Sequence, residues 1–132
     1  MTKKQALNPA WPRAAKSGFA MGMRVGDTIY VSGQVSLDPD GRTVGVGDMT
    51  VQARQVFANI EAVLAEADAT MADVVKITTY VTDMARYAEY NAVRAEVFPD
   101  ALIASATVTS PRLVKPEYLV EVEAIAVIGA GG

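Results

Sequence analysis

The sequence predicts a two-layer α+β domain in which two amphipathic helices lie across one face of a mixed β-sheet. Short β-branched and aromatic runs bounded by turn residues follow the order ββ(β)αβαββ, and two longer segments repeat apolar residues at helical spacing. The chain has 132 residues, 51% hydrophobic and 20% charged, which is enough for one core and too little for two.

Residues 1–17 combine Pro9 and Pro12 with lysines and arginines, show no periodicity, and read as an extended lead-in to a domain spanning 18–128. Phe19 to Val25 and Thr28 to Gln34 are apolar-rich runs separated by Gly26-Asp27, a two-residue turn signal that predicts a β-hairpin. Residues 38–48 hold repeated Gly and Asp and read as a loop, with room for a short strand at Thr43 to Val46. Asp48 or Thr50 can cap the helix that follows, where Ala53, Val56, Phe57, Ile60, Val63, Leu64 and Ala67 recur at i, i+3, i+4 and i+7. Thr70 to Asp73 is a turn, and Val74 to Val81 has the composition of a central strand. A second helix is expected from about Met84 to Phe98, ended by Pro99, with an inner stripe of Tyr87, Asn91, Ala95 and Phe98. Ala104 to Thr109 and Leu119 to Ile128 complete the strands, and residues 129–132 read as a flexible tail.

One helical layer covers one sheet face, so the other face needs a partner. Alternation along the last strand puts Val120, Val122, Ala124 and Ala126 on one side and Leu119, Glu121, Glu123, Ile125 and Val127 on the other. The first set suits helix packing. The second leaves apolar residues in water, and such a patch marks an interface between subunits.

Composition removes whole mechanisms. With no cysteine and no histidine there is no thiol nucleophile, no Ser-His-Asp triad and no ordinary zinc site, and no metal ligand set is expected. Lys+Arg 12 against Asp+Glu 15 gives a formal net charge of -3, so nucleic acid is not an expected partner. No segment approaches the roughly 18 apolar residues of a membrane span, and neither a membrane partner nor a secretory leader is expected; the reading is cytoplasmic.

Four polar residues, at three places in the chain, stand where packed elements prefer apolar ones. Ser32 lies in a strand beside Gly33, a residue that allows close approach of a backbone or ligand, though a strand serine is also an ordinary structural residue. Asn91, on the predicted inner stripe, either tethers the helix to a neighbouring element or faces a ligand. Glu121 and Glu123 are two apart on one strand face, where mutual repulsion raises one pKa. They are either a water-positioning base with its neighbour or a pair of solvated surface charges. Asp83, Asp100 and the loop acids read as cap and turn residues.

The segments IYVSGQVSLDPDG, QARQVFANIEAVLAEA, DVVKITTYVTDMARYAEYNAVRAEVFP and LVEVEAIAV together resemble, in order and spacing, the RidA/YjgF family, also called the L-PSP endoribonuclease family, over about Phe19 to Ile128. The resemblance implies a chorismate-mutase-like fold and a homotrimer whose sheets enclose a central barrel, with ligand clefts between subunits. It further implies cofactor-independent hydrolysis of a reactive enamine or imine to a carbonyl compound and ammonia, with Glu121 holding water and Ser32 and Asn91 at cleft positions. The alternative is a non-catalytic trimer that binds a small metabolite in the same cleft. The family's substrate-binding arginine falls on Ser105 here and its tyrosine near the first strand on Phe19. A neutral hydroxyl does not replace a guanidinium fork, so small 2-imino acids such as 2-aminoacrylate are expected to be poor substrates. Arg112, in the nearby loop, either reaches the cleft or is an exposed loop residue.

Overall fold

In the computed structural model, which describes residues 3–132, the chain enters the sheet earlier than its composition indicates. Lys4–Leu7 (β1) pairs antiparallel with Gly22–Val25 (β2), and Leu7 is buried. Ala14 is buried as well and Trp11 packs against the core, so the stretch read as a lead-in belongs to the domain. This strand, and not Thr43 to Val46, supplies the third β-element of the predicted order; Thr43 makes only an isolated bridge to Leu37.

Gly26-Asp27 turns the chain as predicted, with Gly26 at φ 60°, and β2 pairs with Thr28–Gln34 (β3) from Val25↔Thr28 onward. Met49–Ala65 (α1) follows, capped by Asp48, whose side chain accepts from the Val51 N–H. Val74–Val81 (β4), Tyr87–Val97 (α2), Ala104–Thr109 (β5) and Val120–Val127 (β6) complete one six-stranded sheet in the order β1-β2-β3-β6-β4-β5. All pairs are antiparallel except β4–β5, whose α2 crossover makes them parallel.

The core lies between the sheet and α1. Ile29, Val31, Ile77, Val81, Val120, Val122, Ala124 and Ala126 face Val56, Ile60, Val63 and Leu64, all buried. Each such Val, Leu or Ile contributes about 1.5–3 kcal/mol through burial. Gln52 is buried too, yet fully satisfied: Nε2 donates to the Gly45 and Glu117 carbonyls at 3.1 and 3.0 Å, and Oε1 accepts from the Leu119 N–H at 2.9 Å. It ties the glycine-rich loop and the entry to β6 onto α1.

Two expectations are corrected. The second helix begins as a 3-10 turn over Met84–Arg86, and α2 buries Tyr90 and Val93, with Phe98 just past its end. Tyr87 and Asn91 lie beside that stripe and Ala95 is exposed, so the predicted inner face is rotated by about one residue. The last residues are not a loose tail: the Gly131 N–H donates to Asp73 Oδ1 at 2.9 Å and the Ala130 N–H to the Val127 carbonyl at 3.0 Å. Among the described residues no helix is long and apolar enough to cross a membrane.

Candidate functional site

The sheet's open face carries the acidic pair. Register places Glu121 beside Tyr80 and Glu123 beside Thr78 on β4, while the alternate residues Val120 and Val122 are buried under the helical layer. The two carboxylates differ in surroundings. Glu123 is exposed and accepts a hydrogen bond from the Tyr80 hydroxyl at 3.0 Å, which holds the Tyr80 phenol above its ordinary pKa. Glu121 is partly buried, and burial first, then the Glu123 charge, push its carboxyl above the ordinary glutamate value. Among the described residues it makes no ion pair and accepts no hydrogen bond from a side chain or backbone N–H.

A bulge in β3 makes room for it. Val31 pairs with Ala124 and Gln34 with Val122, so Ser32 and Gly33 together stand opposite the single residue Glu123. The Glu121 side chain folds over Gly33, where a built Cβ would lie 2.6 Å from Oε2. It is the close approach of the carboxylate, not an unusual φ, that the missing Cβ allows. Ser32 donates its hydroxyl to the Ala20 carbonyl at 2.7 Å, which fixes the bulge to the segment leading into β2.

A second set of residues gathers at the opposite side of the sheet. In the parallel β4–β5 pair, Ser105 and Thr107 stand beside Ile77 and Thr79, which are buried on the helix side. They therefore turn toward α2, and with Met84, Tyr87, Asn91, Arg94, Ala101 and Ile103 they line a cavity of about 550 Å³. Asn91 is not a tether to another element: its Oδ1 accepts from Arg94 Nε at 2.9 Å and from the Tyr87 hydroxyl at 3.3 Å, both on its own helix.

The structure thus brings Asn91 and Ser105 together and leaves Glu121 and Ser32 with Gly33 across the sheet. Phe19 is 56% exposed in the loop before β2, and Arg112 is exposed in the loop after β5; neither lines the cavity. Arg94 was not singled out by sequence reasoning. Its signal is the spacing 87, 91, 94, which is i, i+4, i+7 and places three polar groups on one stripe of α2. Asp83 and Asp100 behave as cap and turn residues: Asp83 accepts from the Ala85 N–H at 3.0 Å and Asp100 from the Leu102 N–H at 3.2 Å. Among the described residues no group of three or more acidic side chains converges as a metal site would require.

With this geometry in place, likeness to known proteins decides the family. The profile described as Endoribonuclease L-PSP matches residues 10–128. The chain belongs to the L-PSP (YjgF/RutC) family. A RutC family protein of Pyrococcus abyssi is 39% identical over 108 residues, 82% of this chain and 84% of that protein. Among solved structures of L-PSP/YjgF proteins, the YjgF gene product of E. coli is 31% identical with a TM-score of 0.85, covering 93% of this chain and 98% of the other. The Rid family protein YyfA of Yersinia pestis is 31% identical with a TM-score of 0.88, covering 96% and 100%. Rv2704 of Mycobacterium tuberculosis, described as a member of the YjgF/YER057c/UK114 family, is 29% identical with a TM-score of 0.83. The mixed six-stranded sheet with its two helices is the fold shared by these L-PSP family proteins.

Proposed function

We propose that this chain forms a homotrimer that hydrolyses a reactive enamine or imine metabolite to a carbonyl compound and ammonia, without a cofactor. The observation that carries the reading is the Glu121 carboxylate: partly buried over Gly33, raised in pKa, and claimed by no cation or donor among the described residues. A carboxylate so placed is a base shifted toward the operating pH. In the imine, water adds to the carbon of the C=N bond while one of its protons passes to Glu121 and the nitrogen takes up a proton from solvent. The carbinolamine then gives its O–H proton back to solvent, the C–N bond breaks, and ammonia leaves with the proton returned by Glu121. An enamine enters the same sequence after protonation at carbon.

Assembly is supported by the uncovered sheet face. Tyr30 is 51% exposed there and pairs with Ile125, next to the partly exposed Val127. Apolar residues in such a row stabilise an association when a second copy covers them. Because Glu121 and the Asn91–Ser105 cavity lie on opposite sides of one sheet, a complete site combines the open face of one subunit with the cavity of another. RNA cleavage, named in the family description, lacks support from the residues: there is no histidine, and the formal net charge is -3.

Ser105, standing where the family's arginine is expected, favours a second reading, a trimer that binds a small metabolite without turning it over. The experiment that separates the two generates a panel of imines and enamines with amino-acid oxidases and dehydratases and follows carbonyl product. Acceleration of at least one above its spontaneous rate, abolished by Glu121→Gln, supports the hydrolase. No acceleration of any of them, with saturable binding of their products, establishes the binding protein.

A further inference from the structure

We propose that Arg94 is an anion-binding residue and that the cavity it shares with Asn91, Ser105 and Thr107 receives the carboxylate of a small 2-oxo or 2-imino acid. The inference rests on the hydrolase reading only for the chemistry at the other end of the ligand. Arg94 lies one turn beyond Asn91 on α2, and its Nε donates to Asn91 Oδ1 at 2.9 Å. That bond fixes the plane of the guanidinium and leaves both Nη groups without an acceptor among the described residues. The ion pairs among the described residues engage other arginines: Arg42 with Asp40, Arg54 with Glu96, and Arg86 with Glu89.

The rest of the lining points to the same ligand. No acidic side chain lines the cavity, so Arg94 gives it a net positive charge. Asn91 Oδ1 already accepts twice, which leaves its amide N–H groups as the outward donors. Ser105 and Thr107 add hydroxyls, while Met84, Ala101 and Ile103 provide an apolar wall for a short carbon skeleton. A volume of about 550 Å³ falls within the range of small-molecule sites, on the order of 300–1,000 Å³. One fixed fork suits a singly charged carboxylate, which it can bind bidentately. A phosphate dianion would meet a single cation and remain half-neutralised.

The guanidinium missing from β5 is therefore supplied from α2, into the same cavity that Ser105 lines. On this proposal small 2-imino acids are bound by a cation from α2, against the expectation drawn from Ser105 that they are poor substrates.

Calorimetry on the full chain with pyruvate, an unreactive 2-oxo acid, tests the assignment directly, and pyruvamide serves as the uncharged control. The expected result is pyruvate binding weakened at least about tenfold by Arg94→Gln, the scale of a lost charge-assisted contact, and less by Arg94→Lys. Adding Ser105→Arg to Arg94→Gln restores it, which a merely unfolded variant would not allow. Pyruvamide affinity stays equal in wild type and Arg94→Gln. Pyruvate binding that ignores Arg94→Gln, or no pyruvate binding by the wild type, overturns the proposal. Arg94-dependent pyruvate binding in a protein that hydrolyses no imine leaves this inference standing and removes the hydrolase reading. Hydrolysis that depends on Glu121 but not on Arg94, even for carboxylate-bearing imines, does the reverse.

Discussion

Glu121 lies across Gly33, so closely that a Cβ at position 33 would stand 2.6 Å from Oε2 and 2.9 Å from Cδ. The atoms in the way are the far end of a flexible side chain, so Gly33→Ala displaces the carboxylate without rebuilding the strand. We expect at least about a tenfold loss of imine hydrolysis, the scale of a misplaced reacting group. Thermal stability should hold or rise, because alanine restricts the unfolded chain by about 0.4–1 kcal/mol. Parallel kinetics and calorimetric melting check the split. Equal loss of both would show that the glycine serves the fold alone.

The raised pKa of Glu121 sets the acid limb of the activity profile. The base is active when ionised, so hydrolysis falls as pH drops through a value above that of an ordinary glutamate. Burial is the larger cause and Glu123 the second. Glu123→Gln therefore moves the acid limb toward lower pH by a part of the shift only. The same imbalance has a sign for stability. A carboxyl whose folded pKa is raised binds its proton more tightly in the native state, so its contribution is most favourable below the unfolded pKa and is lost as pH rises through the folded one. Glu121→Gln should raise the melting temperature at neutral pH, lose that advantage in acid, and abolish hydrolysis at every pH.

Tyr90 anchors α2 to the sheet. Its hydroxyl shares a 2.6 Å hydrogen bond with Thr79 Oγ1, both groups are buried, and its ring stacks on Phe57 with centroids 6.1 Å apart. Tyr90→Phe keeps the packing but leaves the Thr79 hydroxyl without this partner, which destabilises by about 1–3 kcal/mol. Chemical denaturation with an unchanged slope would show that loss cleanly.

Ile125 lies at the middle of the open face between Tyr30 and Lys76. If that face joins subunits, Ile125→Arg places a charge in an apolar contact and releases monomers that keep their secondary structure. Sedimentation equilibrium of the two proteins reads the outcome, and an unchanged assembly mass for the variant removes this face from the interface.

The strength of local signals decides how much of this was legible in the sequence. α1 stands out because nine of its residues are buried and recur at helical spacing, while Asp48 marks its start. β6 is equally clear, since strict alternation separates its small buried residues from Glu121, Glu123 and Ile125. β1 is invisible because Lys4–Leu7 contains no β-branched residue and only Leu7 turns inward. The face of α2 misleads because the helix is short and polar on several sides, and Phe98, which seems to continue the Tyr87–Asn91 stripe, lies beyond its end with φ -122°. Asn91 was singled out as a polar residue on a stripe read as buried, and Ser105 was reached through the family resemblance. Their meeting in one cavity depends on the parallel β4–β5 register, which decides the side to which Ser105 turns, and no spacing along the chain encodes that. Arg94 was missed although its spacing from Tyr87 and Asn91 puts it on their stripe, since the spacing does not say that this stripe faces a cavity lined by the strand opposite.

The placement of Glu121 and the Arg94 cavity on opposite sides of one sheet makes catalysis, as proposed here, a property of the population and not of the molecule. A lone chain holds two halves that cannot meet, so specific activity should collapse on dilution below the dissociation constant of the assembly, far more steeply than binding of pyruvate. Two inactive proteins, one lacking Glu121 and one lacking Arg94, should complement each other when refolded together, because mixed trimers regain sites built from the intact half of each. In a cell carrying both alleles, neither defect would then be wholly recessive nor wholly dominant; the phenotype would follow the statistics of mixing.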